Sequence, residues 1–220
     1  MKANSRFVVT AAIAGLLAFV GDFLVTFVLG LFYPNYSHLK LVMSELGTYQ
    51  SPVATWVSIW WMIFGILLVV FALGFQAVFA RGKKAAVVVT VLIVLVGLGA
   101  GIGAGIFPME PRGAENTLAG KLHGIFAGIG FLAVSFVPLA MLILFSRTRS
   151  PGFVGLSAAI FAVGILFFVL FIASEDTSTA TGILSYPGLW QRLFLLNHYV
   201  YLSVFSIIMI RSSRRSASNG

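Results

Sequence analysis

The sequence predicts an all-α integral membrane protein, a bundle of six transmembrane helices, and three observations point there. Apolar residues fill 60% of the 220 positions and charged residues only 9%, far from the balance of a soluble domain. A hydrocarbon core about 30 Å thick needs roughly 20 apolar residues per helix. Stretches 7–32, 53–80, 85–107, 120–145, 152–173 and 190–210 meet that length. The runs are continuous rather than alternating, which excludes a β-barrel. Only short loops remain, so residues 1–220 read as one membrane domain, and any site must be built from helix ends, loops and the bundle interior.

The first run follows Lys2 and Arg6, but it is far longer than the roughly 7–15 apolar residues of a signal peptide and contains Asp22. It is therefore read as a span. Ala11, Gly15, Ala18, Asp22 and Thr26 form a small, polar stripe at helical spacing that should face other helices. Counted back from Phe32 at about 1.5 Å per residue, Asp22 lies about 15 Å deep. A carboxylate at that depth must be neutral, paired or wet, which marks either a bond to a neighbouring helix or a pocket.

The first loop contains "SHLKLVMSELG", in which Leu39, Val42, Met43 and Leu46 make an i, i+3, i+4, i+7 stripe between Ser37 and Gly47. This predicts a short amphipathic helix lying at the interface as a lid, with His38, Leu41 and Glu45 on its flank. Ser51-Pro52 and Ser150-Pro151 read as an N-cap followed by proline at the first helical position, opening the second and fifth spans. Pro108 and Pro111 end the third span, and Pro138 falls inside the fourth.

Alternating the loops across the membrane puts Lys2, Arg6, Arg81, Lys83, Lys84, Arg147, Arg149, Arg211, Arg214 and Arg215 on one side and Lys40, Arg112, Lys121 and Arg192 on the other. The positive-inside rule then makes both termini cytoplasmic in a cell-membrane protein. The net charge of +8 reports orientation and contact with membrane lipids, and argues for no nucleic-acid partner. Every carboxylate and histidine falls outside the cytoplasmic segments: Asp22, Glu45, Glu110, Glu115, Glu175, Asp176, His38, His123 and His198. An interfacial aromatic belt explains rings, but not this segregation.

A polar island, "IFPMEPRGAENTLAGKLHG", follows Gly97, Gly101 and Gly105 and runs into a second set, Gly120, Gly124 and Gly128. Glycines at four-residue spacing let two helices approach closely in lipid, which predicts a tight hairpin of spans three and four that places His123 near the bundle interior. In the sixth span, "GLWQRLFLLNHYVYLS" puts Gln191, Leu195, His198 and Leu202 on one face and Asn197 and Tyr201 on the next. That polarity does not suit a lipid-facing surface. Arg192, nearer the end, reads as a snorkelling residue or a binder of an anionic headgroup.

"MSELGTYQSP", "GIFPMEPRG", "KLHG" and "NHYVYLS" occur in that order along the chain. In this combination the sequence resembles the uncharacterised prokaryotic membrane family catalogued as domain of unknown function 998, over nearly its whole length. The resemblance implies a multi-pass protein whose signature residues are Ser44 to Gly47, the Phe107-Pro108 turn and His123, and it implies no activity.

Three functions compete. The first is a pocket in the outer half of the bundle that binds a lipid or other hydrophobic small molecule. Its candidate residues are Asp22, Ser44, Glu45, Glu110, Arg112, His123, Arg192, Asn197, His198 and Tyr201. The second is a metal-dependent intramembrane hydrolase, with zinc held by His123, His198 and Asp22 or Glu45. No HExxH pair supports it; haem between His123 and His198 is a thinner variant. The third is a proton-coupled transporter using Asp22, against which stands the lack of an inverted repeat.

Overall fold

A computed structural model describes residues 4–79, 84–111, 114–115, 117–147, 150–175 and 180–218. Its long helices are α1 (Ser5–Leu31), α2 (Ala54–Phe79), α3 (Lys84–Ile106), α4 (Leu118–Arg147), α5 (Pro151–Glu175) and α6 (Pro187–Ser218), each long and apolar enough to cross a membrane. Helix neighbours run α2, α1, α6, α5, α4, α3 and back to α2, a closed ring. Ser213 Oγ donates to the Ser5 carbonyl at 2.9 Å, so the start of α1 and the end of α6 share one end of the bundle, called proximal here.

The ends follow local chemistry. Pro151 is the first residue of α5, where its missing N–H costs no hydrogen bond, and Val154 N–H donates back to Ser150 O at 3.1 Å. Ser51 Oγ accepts from Val53 N–H at 3.3 Å, one turn ahead of α2. Thr117 Oγ1 accepts from Gly120 N–H at 3.3 Å and caps α4, which then runs through Pro138.

The proximal half of the ring is filled. Phe71, Phe75, Phe205, Met141 and Met209 are fully buried there, and Phe205 stacks on Phe145 with centroids 5.6 Å apart. The stripe on α1 is buried as expected, Ala11 through Thr26, against α2 and α6. Helix α5 is the inverse of a soluble helix. Its buried residues are Ser157, Gly164 and Ser174, while Leu166, Val169 and Ile172 face outward, the pattern of a helix whose solvent is lipid.

Two sequence expectations are corrected. The first loop forms a turn at residues 38–40 and then only a five-residue 3₁₀ helix, Met43–Gly47, rather than a helix from Ser37. Val42, Met43 and Leu46 are buried, but Leu39 at the head of the stripe is half exposed. Backbone groups of this loop bond to α6, which competes with continuous helical bonding. The glycine hairpin is also built differently. Gly97, Gly101 and Gly105 pack against α2, where a Cβ on Gly97 would lie 2.7 Å from the Gly65 carbonyl and one on Gly105 2.9 Å from that of Ser58. Gly99 and Gly103 instead face Phe126 and Gly130 of α4. The segment Gly97–Gly103 is π-helical, and its wider turn aims alternate glycines at two different neighbours. Gly124 and Gly128 have no neighbour within 4 Å of a Cβ; they serve no helix contact.

Candidate functional site

The space beside Gly124 and Gly128 is a cavity of about 470 Å³ in the half of the bundle away from the termini. All six helices contribute to its wall, together with Val42, Met43 and Ser44 of the first loop and Met109 of the island. Its polar lining residues are Asp22, Ser44, His123, Glu175, Gln191 and Tyr199; the rest of the wall is apolar or glycine. The lining residues that remain exposed, Gly124, Leu132, Ile172 and Glu175, all belong to α4 and α5, so the mouth lies between those two helices.

Asp22 is 3% exposed and held from two sides. Trp60 Nε1–H donates to Oδ1 at 3.1 Å, and Tyr199 O–H donates to Oδ2 at 2.9 Å. Gly21 makes the first bond feasible: a side chain there would occupy the space of the Trp60 ring, 2.7 Å from Cζ2. Phe23 packs edge-on against the Tyr199 ring at 5.7 Å and Phe19 lies 5.4 Å away, fixing the phenol. Thr26 Oγ1 bonds the Asp22 carbonyl at 2.5 Å, one turn on.

His123 is buried at 4% exposure, and its Nδ1 donates to the Phe107 carbonyl at 2.8 Å. That bond ties the start of α4 to the residue where α3 ends, before Pro108. Thr117 donates from its hydroxyl to Glu110, closing the island on itself. Arg112 lies outside the described residues.

Arg192 does not reach out to headgroups. Its Nη1 donates to the carbonyls of His38 at 2.5 Å, Leu41 at 3.0 Å and Gly188 at 3.0 Å, and its Nη2 to Tyr36 Oη at 2.8 Å and His38 Nδ1 at 3.3 Å. Leu189 N–H adds a bond to Leu39 O at 2.9 Å, and Met43 N–H one to Gln191 Oε1 at 2.6 Å. The first loop is thereby strapped to the start of α6, and this is what lays Val42, Met43 and Ser44 over the cavity. Burial and the neighbouring Arg192 charge hold the His38 pKa below its usual 6.5, the neutral form that Nδ1 needs to accept from a guanidinium. Burial raises the Tyr36 pKa above 10, so the phenol keeps the proton it donates to Val42 O at 2.9 Å.

Of the sequence candidates, Asp22, Ser44 and His123 line the cavity. Glu45 is buried in the 3₁₀ helix, and Asn197, His198 and Tyr201 face α5 instead. Asn197 Nδ2 donates to Ile160 O at 2.9 Å, Tyr201 Oη pairs with Ser157 Oγ at 2.6 Å, and a Cβ on Gly164 would lie 2.7 Å from the His198 ring. His198 Nδ1 bonds Phe194 O in its own helix at 2.8 Å. The sequence spacing sets the face one position off: Gln191, Leu195 and Tyr199, four apart, meet the cavity, and His198 is turned about 100° away. Trp60, Tyr199 and Glu175 were missed as site residues, although the i, i+4, i+8 step from Gln191 pointed to Tyr199. His123, His198, Asp22 and Glu45 do not form a ligand set, and no group of three such side chains converges among the described residues.

No curated protein and no solved structure matches the chain significantly. The sequence model of the family described as "Protein of unknown function (DUF998)" matches residues 12–208, from early α1 to late α6, and so spans every wall of the cavity. This multi-pass membrane protein belongs to that family.

Proposed function

We propose that the protein binds a hydrophobic small molecule or lipid that enters sideways from the membrane. The observation that carries this reading is the position of the cavity mouth, between the apolar, outward-facing surfaces of α4 and α5. A volume of about 470 Å³ suits a small-ligand pocket, typically about 300–1,000 Å³, as does an apolar wall with a few convergent polar groups. The surplus of Lys and Arg near the termini supports placing both of them in the cytoplasm and the mouth in the outer leaflet. The metal-hydrolase reading has no convergent ligand set behind it among the described residues. Proton transport draws support only from Asp22, whose two oxygens already accept bonds that pin α1 to α2 and α6.

The test uses Gly128→Phe, which adds a ring where open space lies. Protein purified in mild detergent is extracted, and co-purifying lipids and metals are quantified by mass spectrometry. A stoichiometric amphiphile in the wild type that is lost from folded Gly128→Phe supports the reading. An equal yield from both proteins defeats it, and stoichiometric zinc would restore the hydrolase.

A further inference from the structure

Building on the lipid-pocket reading, we infer that the cavity selects an amphiphile whose polar end is a protonated amine, with Asp22 as its counter-ion. The charges that line the cavity are Asp22, deep inside, and Glu175, at the mouth; no Lys or Arg lines it among the described residues. The guanidinium on the α6 wall, that of Arg192, is committed to the carbonyls of His38 and Leu41 in the first loop and of Gly188 in its own helix. An anionic headgroup would meet the Asp22 carboxylate where charges are weakly screened, with no Lys or Arg among the described lining residues to offset it.

Hydrogen-bond capacity agrees with the charge. Each Asp22 oxygen accepts one bond, from Trp60 or Tyr199, and a carboxylate oxygen has room for a second. Tyr199 spends its only proton on Asp22, so toward the cavity its oxygen can only accept. An ammonium brings three donors and no acceptor, the complement of that surface. Phe64 adds an aromatic ring to the same cavity wall, 6.0 Å from that of Tyr199. Aromatic faces attract cations, more so where water is excluded. The ligand chain then runs past Phe168 and Leu132 toward the mouth.

The experiment photolabels the full-length protein in dodecylmaltoside with three hexadecyl probes, each carrying a mid-chain diazirine and ending in an amine, an alcohol or a carboxylate. Labelled peptides are mapped by mass spectrometry in wild type, Asp22→Asn and Gly128→Phe. The amine is expected to label α4, α5 and α6 lining peptides about tenfold more than the carboxylate, a margin of about 1.4 kcal/mol. In Asp22→Asn that excess should shrink to the level of the alcohol. Equal amine and carboxylate labelling in the wild type, which needs no variant to fold, overturns the charge assignment while leaving the pocket intact. Labelling by any probe that Gly128→Phe does not reduce removes the pocket and this inference with it.

Discussion

Tyr199 donates to Asp22 at 2.9 Å, a bond between helices whose residues stand 177 positions apart. It joins the first helix to the last beside the cavity, and Trp60 on α2 donates to the same carboxylate at 3.1 Å. Interhelical hydrogen bonds in membranes contribute about 0.6 kcal/mol on average and about 1.7 at most. Tyr199→Phe should therefore cost about 0.6–1.7 kcal/mol in a detergent unfolding titration. A cycle with Asp22→Asn should show coupling of that size, and additive effects would mean the pair does not stabilise the fold.

Glycines in this bundle do two opposite jobs. At Gly164 a Cβ would sit 2.7 Å from the His198 ring and 3.1 Å from Asn197 Nδ2, so Gly164→Ala should push α5 from α6 and cost about 1–3 kcal/mol. Gly124→Ala and Gly128→Ala meet nothing within 4 Å and should be neutral or gain up to about 1 kcal/mol from helix propensity. Thermal unfolding of the three variants side by side checks this. Equal losses at all three would sink the distinction.

Arg192 holds the first loop through a planar fork that reaches three carbonyls and Tyr36. Lysine keeps the charge but not the fork. Arg192→Lys should speed amide exchange across residues 38–43 by about tenfold, a loss of about 1.4 kcal/mol and near the low end for charge-assisted bonds. Exchange at the wild-type rate would show that Leu189 and Gln191 suffice to dock the loop.

The same strap should respond to pH. The His38 pKa is lowered in the folded protein, so between that value and the unfolded 6.5 the unfolded state binds more protons. Docking is then strongest above about pH 6.5 and weakens as pH falls toward the folded pKa, because a proton on Nδ1 would face the Arg192 guanidinium. Proteolysis of the first loop should be faster at about pH 5 than at about pH 7. His38→Gln should be insensitive over that window, and a pH effect that persists in His38→Gln would move the titrating group elsewhere.

The spans were legible because burial in lipid writes itself as long apolar runs, and the α1 stripe because small and polar residues recurred at helical spacing. Three things were not legible. The α6 face depended on a choice between Leu195-His198 and Leu195-Tyr199, and both spacings fit a helix. Only the Asp22 carboxylate, which accepts the hydrogen bond from Tyr199, breaks that tie. The glycines of α3 and α4 share one spacing but differ in partner, because the π-helical turn in α3 shifts phase within the run, and no residue type announces a π turn. The Arg192 strap was hidden for a related reason, since its acceptors are main-chain carbonyls that carry no sequence signature.

That π-helical stretch, Gly97–Gly103, also makes chain length adjustable at one place in α3. A turn that closes on the fifth residue holds one residue more than an α turn over the same rise. Removing one residue there would let the backbone close with ordinary α bonds, whereas removing one elsewhere in α3 must shift everything beyond it. The spare residue is thus slack that lets Ala100 and Ala104 face the cavity while Gly101 and Gly105 stay against α2. A shortened relative would be expected to keep its six crossings and lose the shape of its chamber.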